Sequence, residues 1–258
     1  AALATLLARI LELILVIGYA KIYNREILFR MKYFFHMDSG LLKDFLVCAV
    51  PVILNEVLWG IANSASTAIL GHMGSAAVAA NSVAQVTKEM SMVVSFGISN
   101  AAAIYLGKTI GEKKYQHARA YAERFVKLSI LLGIGSAVII LLSSQMIIMV
   151  MAMTPLTKDY LRFMMCVMAY YAVAQTLDET VIVGIFRSGG DTRFGLIIDL
   201  TAMWGCSVLL GAAAAFVFHC SVPVVYALLM SDELVKIPII WGRYKNCSWI
   251  RNITREIE

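Results

Sequence analysis

Residues Leu46–Gly74 read LVCAVPVILNEVLWGIANSASTAILGHMG, a long apolar stretch with a single acidic residue, Glu56, inside it. An α-helix needs about 20 mainly apolar residues to cross the hydrocarbon core of a bilayer. This stretch is long enough to do so, and a soluble protein would leave much of it exposed to water. The stretch therefore predicts a membrane-spanning helix.

The composition extends this prediction to the whole chain. Of 258 residues, 60% are apolar and 15% are charged, and the mean hydropathy is +0.77. Soluble domains average roughly 45–50% apolar and about 25% charged residues. We therefore predict an all-α fold, a polytopic transmembrane bundle with the lipid bilayer as its solvent.

Seven spans are predicted, at roughly residues 1–20, 45–70, 76–106, 120–143, 160–186, 195–218 and 222–242. Lysine and arginine cluster in alternate connections and after the last span, whereas Gly71–Ser75, Ser143–Thr157 and His219–Pro223 contain neither. Basic connections lie on the cytoplasmic side. We expect a multi-pass protein of the plasma (inner) membrane with Ala1 outside and the C-terminus in the cytoplasm. Because Ala1 stands inside an apolar stretch, we also expect the chain to continue a longer protein.

Small residues recur at every fourth position in two spans. They are Gly60, Ser64 and Ala68 in the second span and Ser95, Ser99, Ala103 and Gly107 in the third. Small residues at this spacing let helix backbones approach closely in lipid. Both sets therefore predict tight helix packing.

The acidic residues inside the spans are the main functional signal. A carboxylate in mid-bilayer is costly and usually faces the bundle interior or a water-filled cavity. Glu56 lies about eleven residues into its span, roughly 16 Å deep at 1.5 Å per residue, and Asn63 follows on the same helix face. This polar stripe predicts a cavity wall; a structural hydrogen bond to a neighbouring helix is the alternative.

Acidic residues with a candidate role lie in four further spans. Glu89 stands next to Lys88, the only clear mid-span lysine. Lys88 could form a structural ion pair with Glu56 or with Glu89. The alternative is a functional role for Glu89. Asp178 and Glu179 follow Gln175 by about one turn, and adjacent residues point about 100° apart, so at least one carboxylate is predicted to face a cavity. For Asp199, Asp232 and Glu233, the last two close to Lys236, an interfacial or paired role is favoured.

Sequence motifs for other classes of function do not occur. The chain contains no GxxxxGK[ST] phosphate loop, no HExxH, no GxSxG and no Cys/His metal spacing, which disfavours an ATPase, an enzyme or a bound cofactor. No basic cluster with interleaved aromatic residues indicates nucleic acid. Uphill transport without a nucleotide site requires an ion gradient, and intramembrane carboxylates are groups that bind H⁺ or Na⁺.

Several phrases resemble one known family. Leu46–Gly74 followed by AAVAA at Ala76–Ala80 is similar to the start of the second lobe of multidrug and toxic compound extrusion (MATE) transporters. GIFRSGGDTRF at Gly184–Phe194 resembles the inner end of that lobe's fourth helix, and DELVK at Asp232–Lys236 with WIRNIT at Trp249–Thr254 resembles the family's tail. The resemblance covers nearly the whole chain.

The resemblance implies a two-lobe, alternating-access transporter. Residues 1–44 would hold the last helix of the first lobe and a basic cytoplasmic inter-lobe loop, and residues 45–258 would form the six-helix second lobe with a cytoplasmic tail. The N-terminal lobe of the same protein and a small organic cation are the implied partners, with H⁺ or Na⁺ as coupling ion. Glu56 and Asp178 or Glu179 stand on the helices that carry a cation site in some members, so Na⁺ is a candidate ligand at Glu56 and Asp178. Glu56 falls about one turn closer to Pro51 than in the best-described branch.

The sequence thus predicts ion-coupled efflux of organic cations, with Trp59, Tyr170 and Tyr171 as candidate aromatic faces for the cation. A flippase for a lipid-linked polar molecule is one alternative; it requires a basic cavity, which the single mid-span Lys88 disfavours. A non-transporting membrane scaffold predicts that neutralising the mid-span acids changes only stability. A channel predicts leak currents without coupling.

Overall fold

The computed structural model describes residues 2–22, 39–247 and 249–250, and all its regular secondary structure in these ranges is helical. The predicted all-α membrane bundle is confirmed. The helices are α1 (Ala2–Ile22), α2 (Ser39–His72), α3 (Ser75–Gly111), α4 (Tyr115–Val150), α5 (Pro155–Glu179), α6 (Thr192–Ala202), α7 (Leu209–Ala212), α8 (Val222–Leu229) and α9 (Asp232–Lys245). Most of the predicted basic inter-lobe loop and the end of the predicted tail fall on residues 23–38 and 251–258, outside the described residues.

Two compact units make up the chain, Ala1–Leu46 and Val47–Glu258. The first contains α1. The second contains most of α2 and all of α3 to α9, and every residue of the site described below belongs to it.

Among the described residues, four helical segments are long and apolar enough to cross a membrane: Phe45–His72, Ser75–Gly111, Tyr115–Val150 and Thr192–Val217. They match the second, third, fourth and sixth predicted spans. The first predicted span corresponds to α1, and the fifth to α5 with a π-helical turn, Thr180–Phe186, at its end. The total of seven membrane spans stays a prediction.

The prediction of one continuous helix for the seventh span is wrong, because Met230 and Ser231 interrupt the helix between α8 and α9. At the break the backbone N–H of Asp232 donates a hydrogen bond to Ser207 Oγ at 3.0 Å. The first turn of α9 then carries Asp232 and Glu233, where the helix dipole favours negative charge. The break therefore places two carboxylates inside the bundle.

Helices α3, α4 and α5 pack against one another and form the centre of the second unit. The small-residue prediction is confirmed for α3, where Ser95 and Ser99 are buried. On α2 the described residues show no such contact, because Ser64 and Ala68 are exposed and a Cβ added to Gly60 would meet nothing within 4 Å. Polar cross-links reinforce the packing, with Ser136 Oγ donating to the Ser91 carbonyl at 2.8 Å.

A glycine pair on α4 tests this packing. A Cβ added to Gly133 would lie 3.1 Å from the Cα of Val173 on α5, whereas one added to Gly135 meets nothing within 4 Å. We expect Gly133→Val to destabilise the protein by about 1–3 kcal/mol through overpacking. Gly135→Val makes the same chemical change on the same helix and should stay within about 0.5 kcal/mol. Thermal melting of the purified protein in detergent measures both, and equal melting temperatures would contradict the close α4–α5 contact.

Candidate functional site

A cavity of about 410 Å³ lies in the second unit, bordered by α2, α3, α5, α6 and α9. Its volume falls in the range of about 300–1,000 Å³ that holds drug-sized ligands. Its charged and amide lining residues are Asn55, Glu56, Lys88, Glu89, Gln175, Asp178, Glu179, Arg187, Asp199, Glu233 and Lys236, and its apolar ones are Trp59, Val93, Phe96, Ile182 and Val183. Six carboxylates against three basic groups give this lining a formal charge of −3.

Lys236 on α9 is the centre of the charged cluster. Its Nζ lies 2.7 Å from Glu233 Oε1, 3.0 Å from Asp178 Oδ2, 3.4 Å from Asp199 Oδ1 and 3.7 Å from Asp232 Oδ2. The Lys236 side chain is 4% exposed. One buried ammonium group therefore joins carboxylates from α5, α6 and α9, which we call the Lys236 cluster. The paired role predicted for Asp199, Asp232 and Glu233 is confirmed.

The carboxylates of the Lys236 cluster have more acceptor capacity than their partners fill. Asn55 Nδ2 donates to the second oxygen of Asp199 at 2.9 Å. Asp178 Oδ1, Asp232 Oδ1 and Glu233 Oε2 are buried and have no hydrogen-bond partner among the described residues. A buried oxygen without a partner is costly, so the cluster has unfilled capacity to accept a proton or a hydrogen-bond donor.

A second ion pair lies at a more exposed part of the cavity. Arg187 Nη2 lies 2.8 Å from Glu56 Oε1, and the Glu56 side chain is 59% exposed. Arg187 follows the π-helical turn Thr180–Phe186. Such a turn inserts an extra residue into the helix and commonly marks a functional site. Ser99 Oγ donates to the Glu179 carbonyl next to this turn at 2.7 Å.

The structure brings most of the predicted site residues together. Glu56, Glu89, Gln175, Asp178, Glu179 and Trp59 all line the one cavity. Asn63 does not line it, and its Nδ2 donates to the Trp59 carbonyl one turn earlier on α2.

The two predicted tyrosines differ from expectation, because neither lines the cavity. Tyr170 is 40% exposed. Tyr171 is buried and hydrogen-bonds Asp232 Oδ2 at 3.5 Å. Their adjacent positions on α5 point them in different directions, so only Tyr171 comes near the cluster.

Lys88 does not form the ion pair that was one of the two alternatives open for it. No carboxylate oxygen of the described residues lies within 4.0 Å of its ammonium group, which instead lies 5.2 Å from the ring centroid of Tyr171. Lys236 and Arg187 also line the cavity. Both of these are already paired with carboxylates, so the lining stays acidic.

A comparison with protein families decides what this chain is related to. The MatE family model matches residues 51–213, more than half of the chain and the segment that carries most of the cavity. The chain belongs to the MatE family. It is thus a multi-pass membrane protein of a transporter family.

Two curated relatives of this MatE chain are similar over different lengths. The uncharacterized transporter YisQ of Bacillus subtilis is 23% identical over 97% of this chain and 54% of its own length. The probable multidrug resistance protein NorM of Haemophilus ducreyi is 24% identical over 59% of this chain and 33% of its own length. The chain therefore spans about half the length of YisQ and a third of NorM.

A solved structure supports the fold. The crystal structure of a MATE mutant superposes on 91% of this chain and 53% of that chain, with a TM-score of 0.72 at 18% identity. The helix arrangement of the MatE chain is thus that of a MATE transporter. At this identity the likeness concerns the fold alone.

Sequence reasoning undervalued two basic residues of the site. The sequence indicates Lys236 only as a neighbour of Asp232 and Glu233, and it does not indicate Arg187 as a site residue. The signal for Lys236 was the spacing in DELVK, which places a lysine three and four residues after two acids on one helix face. No sequence pattern predicted a role for Arg187, because its side chain reaches Glu56 from the end of a π-helical turn.

Proposed function

We propose that this MatE chain is the second lobe of an exporter that expels organic cations in exchange for H⁺ or Na⁺, which enters down its own gradient. The observation that carries the proposal is the lining of the cavity, in which six carboxylates face three basic groups. A cationic cargo or coupling ion gains electrostatic stabilisation there that an anionic one does not. Family membership and the multidrug resistance relative NorM support the same class of function.

The cavity offers two kinds of surface to an amphipathic cation. Trp59, Phe96, Ile182 and Val183 supply apolar and aromatic contacts, and Glu56, Glu89 and Glu179 supply negative charge. An aromatic face close to a carboxylate suits a cation that carries apolar groups, because cation–π attraction adds to apolar burial. In this proposal Glu56, freed from Arg187, contacts the cargo or the coupling ion.

The orientation and partners of the lobe belong to the same proposal. The cytoplasmic C-terminus follows from the distribution of basic residues. The missing half of the relatives' length would be an N-terminal lobe of the same protein, and the cargo pathway would run between the two lobes. The function therefore has to be tested on the full-length protein.

Replacement of Glu56 by glutamine tests the proposal. Full-length protein in proteoliposomes is given a proton or sodium gradient, and uptake of tetraphenylphosphonium is recorded. We expect Glu56→Gln to lower gradient-driven transport by about 10- to 100-fold, because a charge contact worth roughly 1.4–2.8 kcal/mol is lost. Membrane insertion should be unchanged.

Glu123→Gln is the matched control. Glu123 forms an exposed pair with Lys127 at 2.7 Å on α4, away from the cavity, and its replacement should leave transport as in wild type. If Glu56→Gln transports as fast as Glu123→Gln, Glu56 has no part in the mechanism. If the wild type shows no gradient-driven transport of any organic cation, the proposed function itself fails.

A further inference from the structure

Carboxylate oxygens of the Lys236 cluster converge on one position, and a side chain of the protein already occupies it. Three carboxylate oxygens from α5, α6 and α9 lie 2.7–3.4 Å from Lys236 Nζ. Oxygen atoms from several carboxylates are the ligands that hard metal cations prefer. The ammonium group stands at the point where these carboxylates converge.

Three further carboxylate oxygens of the cluster are buried close to this position. Asp178 Oδ1, Asp232 Oδ1 and Glu233 Oε2 are buried without a hydrogen-bond partner among the described residues. Asp178, Asp232 and Glu233 are 7%, 2% and 1% exposed. Buried acceptors without a partner are costly, so the ammonium group of Lys236 stabilises the carboxylates that surround it.

The other candidate Na⁺ ligand is also engaged, because Glu56 pairs with Arg187. Among the described residues, no group of three or more His, Cys, Asp or Glu side chains has the arrangement of a metal site. The residues present at Glu56 and Asp178 therefore do not fit a Na⁺ ion while both basic partners stay in place.

We propose that the Lys236 ammonium group is a built-in cation that fills the ion position of this lobe and excludes Na⁺ from it. This inference rests on the proposed function and narrows it. Of the two proposed coupling ions, H⁺ and Na⁺, it excludes Na⁺ at this site. Lys236 is then a specificity-determining residue. Its removal should open the site, and Na⁺ should take the vacated position between Asp178, Asp199 and Glu233.

The test is the effect of Na⁺ on the stability of Lys236→Ala. Full-length wild type and variant are melted in 100 mM NaCl and in 100 mM choline chloride. For a Kd of about 1 mM, we expect Na⁺ to raise the melting temperature of Lys236→Ala by roughly 5 °C. The difference between NaCl and choline chloride should be smaller in the wild type. Comparing variant with wild type cancels any Na⁺ site elsewhere in the protein.

Lys88→Ala is the matched control, because Lys88 is a second buried lysine that lines the same cavity without a carboxylate oxygen of the described residues within 4.0 Å. Its response to Na⁺ should equal that of the wild type. An equal Na⁺ shift in wild type, Lys88→Ala and Lys236→Ala would overturn the proposal.

Binding of radioactive Na⁺ to wild type and Asp178→Asn gives a readout that does not depend on the folding of Lys236→Ala. If Lys236 fills the site, Asp178→Asn leaves Na⁺ binding unchanged. A loss of Na⁺ binding in Asp178→Asn would place Na⁺ at Asp178 and overturn the proposal. In that case efflux of tetraphenylphosphonium by the wild type would still stand, so failure of the inference is distinct from failure of the proposed function.

Discussion

Replacing Lys236 with methionine is expected to lower the free energy of unfolding by about 3–5 kcal/mol. Methionine keeps the apolar stem but leaves Asp178, Asp199 and Glu233 without the ammonium group that lies 2.7–3.4 Å from their oxygens. Removing one partner of a buried ion pair is costly because the remaining charges stay out of water. Thermal melting should show a fall of roughly 10 °C.

A double variant separates charge from packing. Adding Asp178→Asn to Lys236→Met removes one of the unpaired carboxylates and should recover part of the lost stability, which a packing defect would not do. Lys127→Met is the control, because Lys127 forms an exposed pair with Glu123 and such pairs contribute about 0–1 kcal/mol. A loss in Lys236→Met no larger than that in Lys127→Met would show that the Lys236 cluster is not a buried charge network.

Asp178→Asn is expected to abolish gradient-driven transport while leaving the protein folded and inserted. Asp178 lines the cavity, lies 3.0 Å from Lys236 and has one oxygen without a hydrogen-bond partner among the described residues. Asparagine retains the shape but removes the titratable carboxyl group, so a proton can no longer be taken up and released there. We expect a fall in transport of about 100-fold or more, equivalent to at least roughly 2.8 kcal/mol.

The matched control for this variant is Asp159→Asn on the same helix. Asp159 lies near the start of α5, is exposed and is not part of the cavity lining. Its replacement should leave transport and melting temperature as in wild type. Transport by Asp178→Asn at more than half the wild-type rate would show that Asp178 has no essential part in the transport mechanism.

Much of the site was predictable because carboxylates in apolar helices have few physically acceptable locations. Glu56, Glu89, Asp178 and Glu179 stand on three different helices, and each had to face a cavity or a partner. The structure places all four at one cavity. A charge in lipid has a high free-energy cost, so an acidic residue inside an apolar span indicates a cavity or a partner. Such residues can be recognised in a single sequence.

The rest depended on packing over long sequence distances. The ion pair between Glu56 and Arg187 joins residues 131 positions apart. Arg187 follows the π-helical turn Thr180–Phe186, and no local sequence pattern predicts this turn. The break between α8 and α9 lies at the end of the apolar run Val222–Met230, and the backbone N–H of Asp232 at this break donates to Ser207 from another helix. The predicted role of Tyr171 failed because its hydroxyl contacts Asp232 rather than the cavity.

The most direct measurement of the central claim is where a cationic cargo binds. A photoreactive quaternary ammonium compound is bound to the full-length protein, cross-linked by light and mapped by mass spectrometry. Labels on Trp59, Phe96 or Val183, suppressed by excess tetraphenylphosphonium, are the expected result. Specific labels confined to residues outside the cavity would contradict the account.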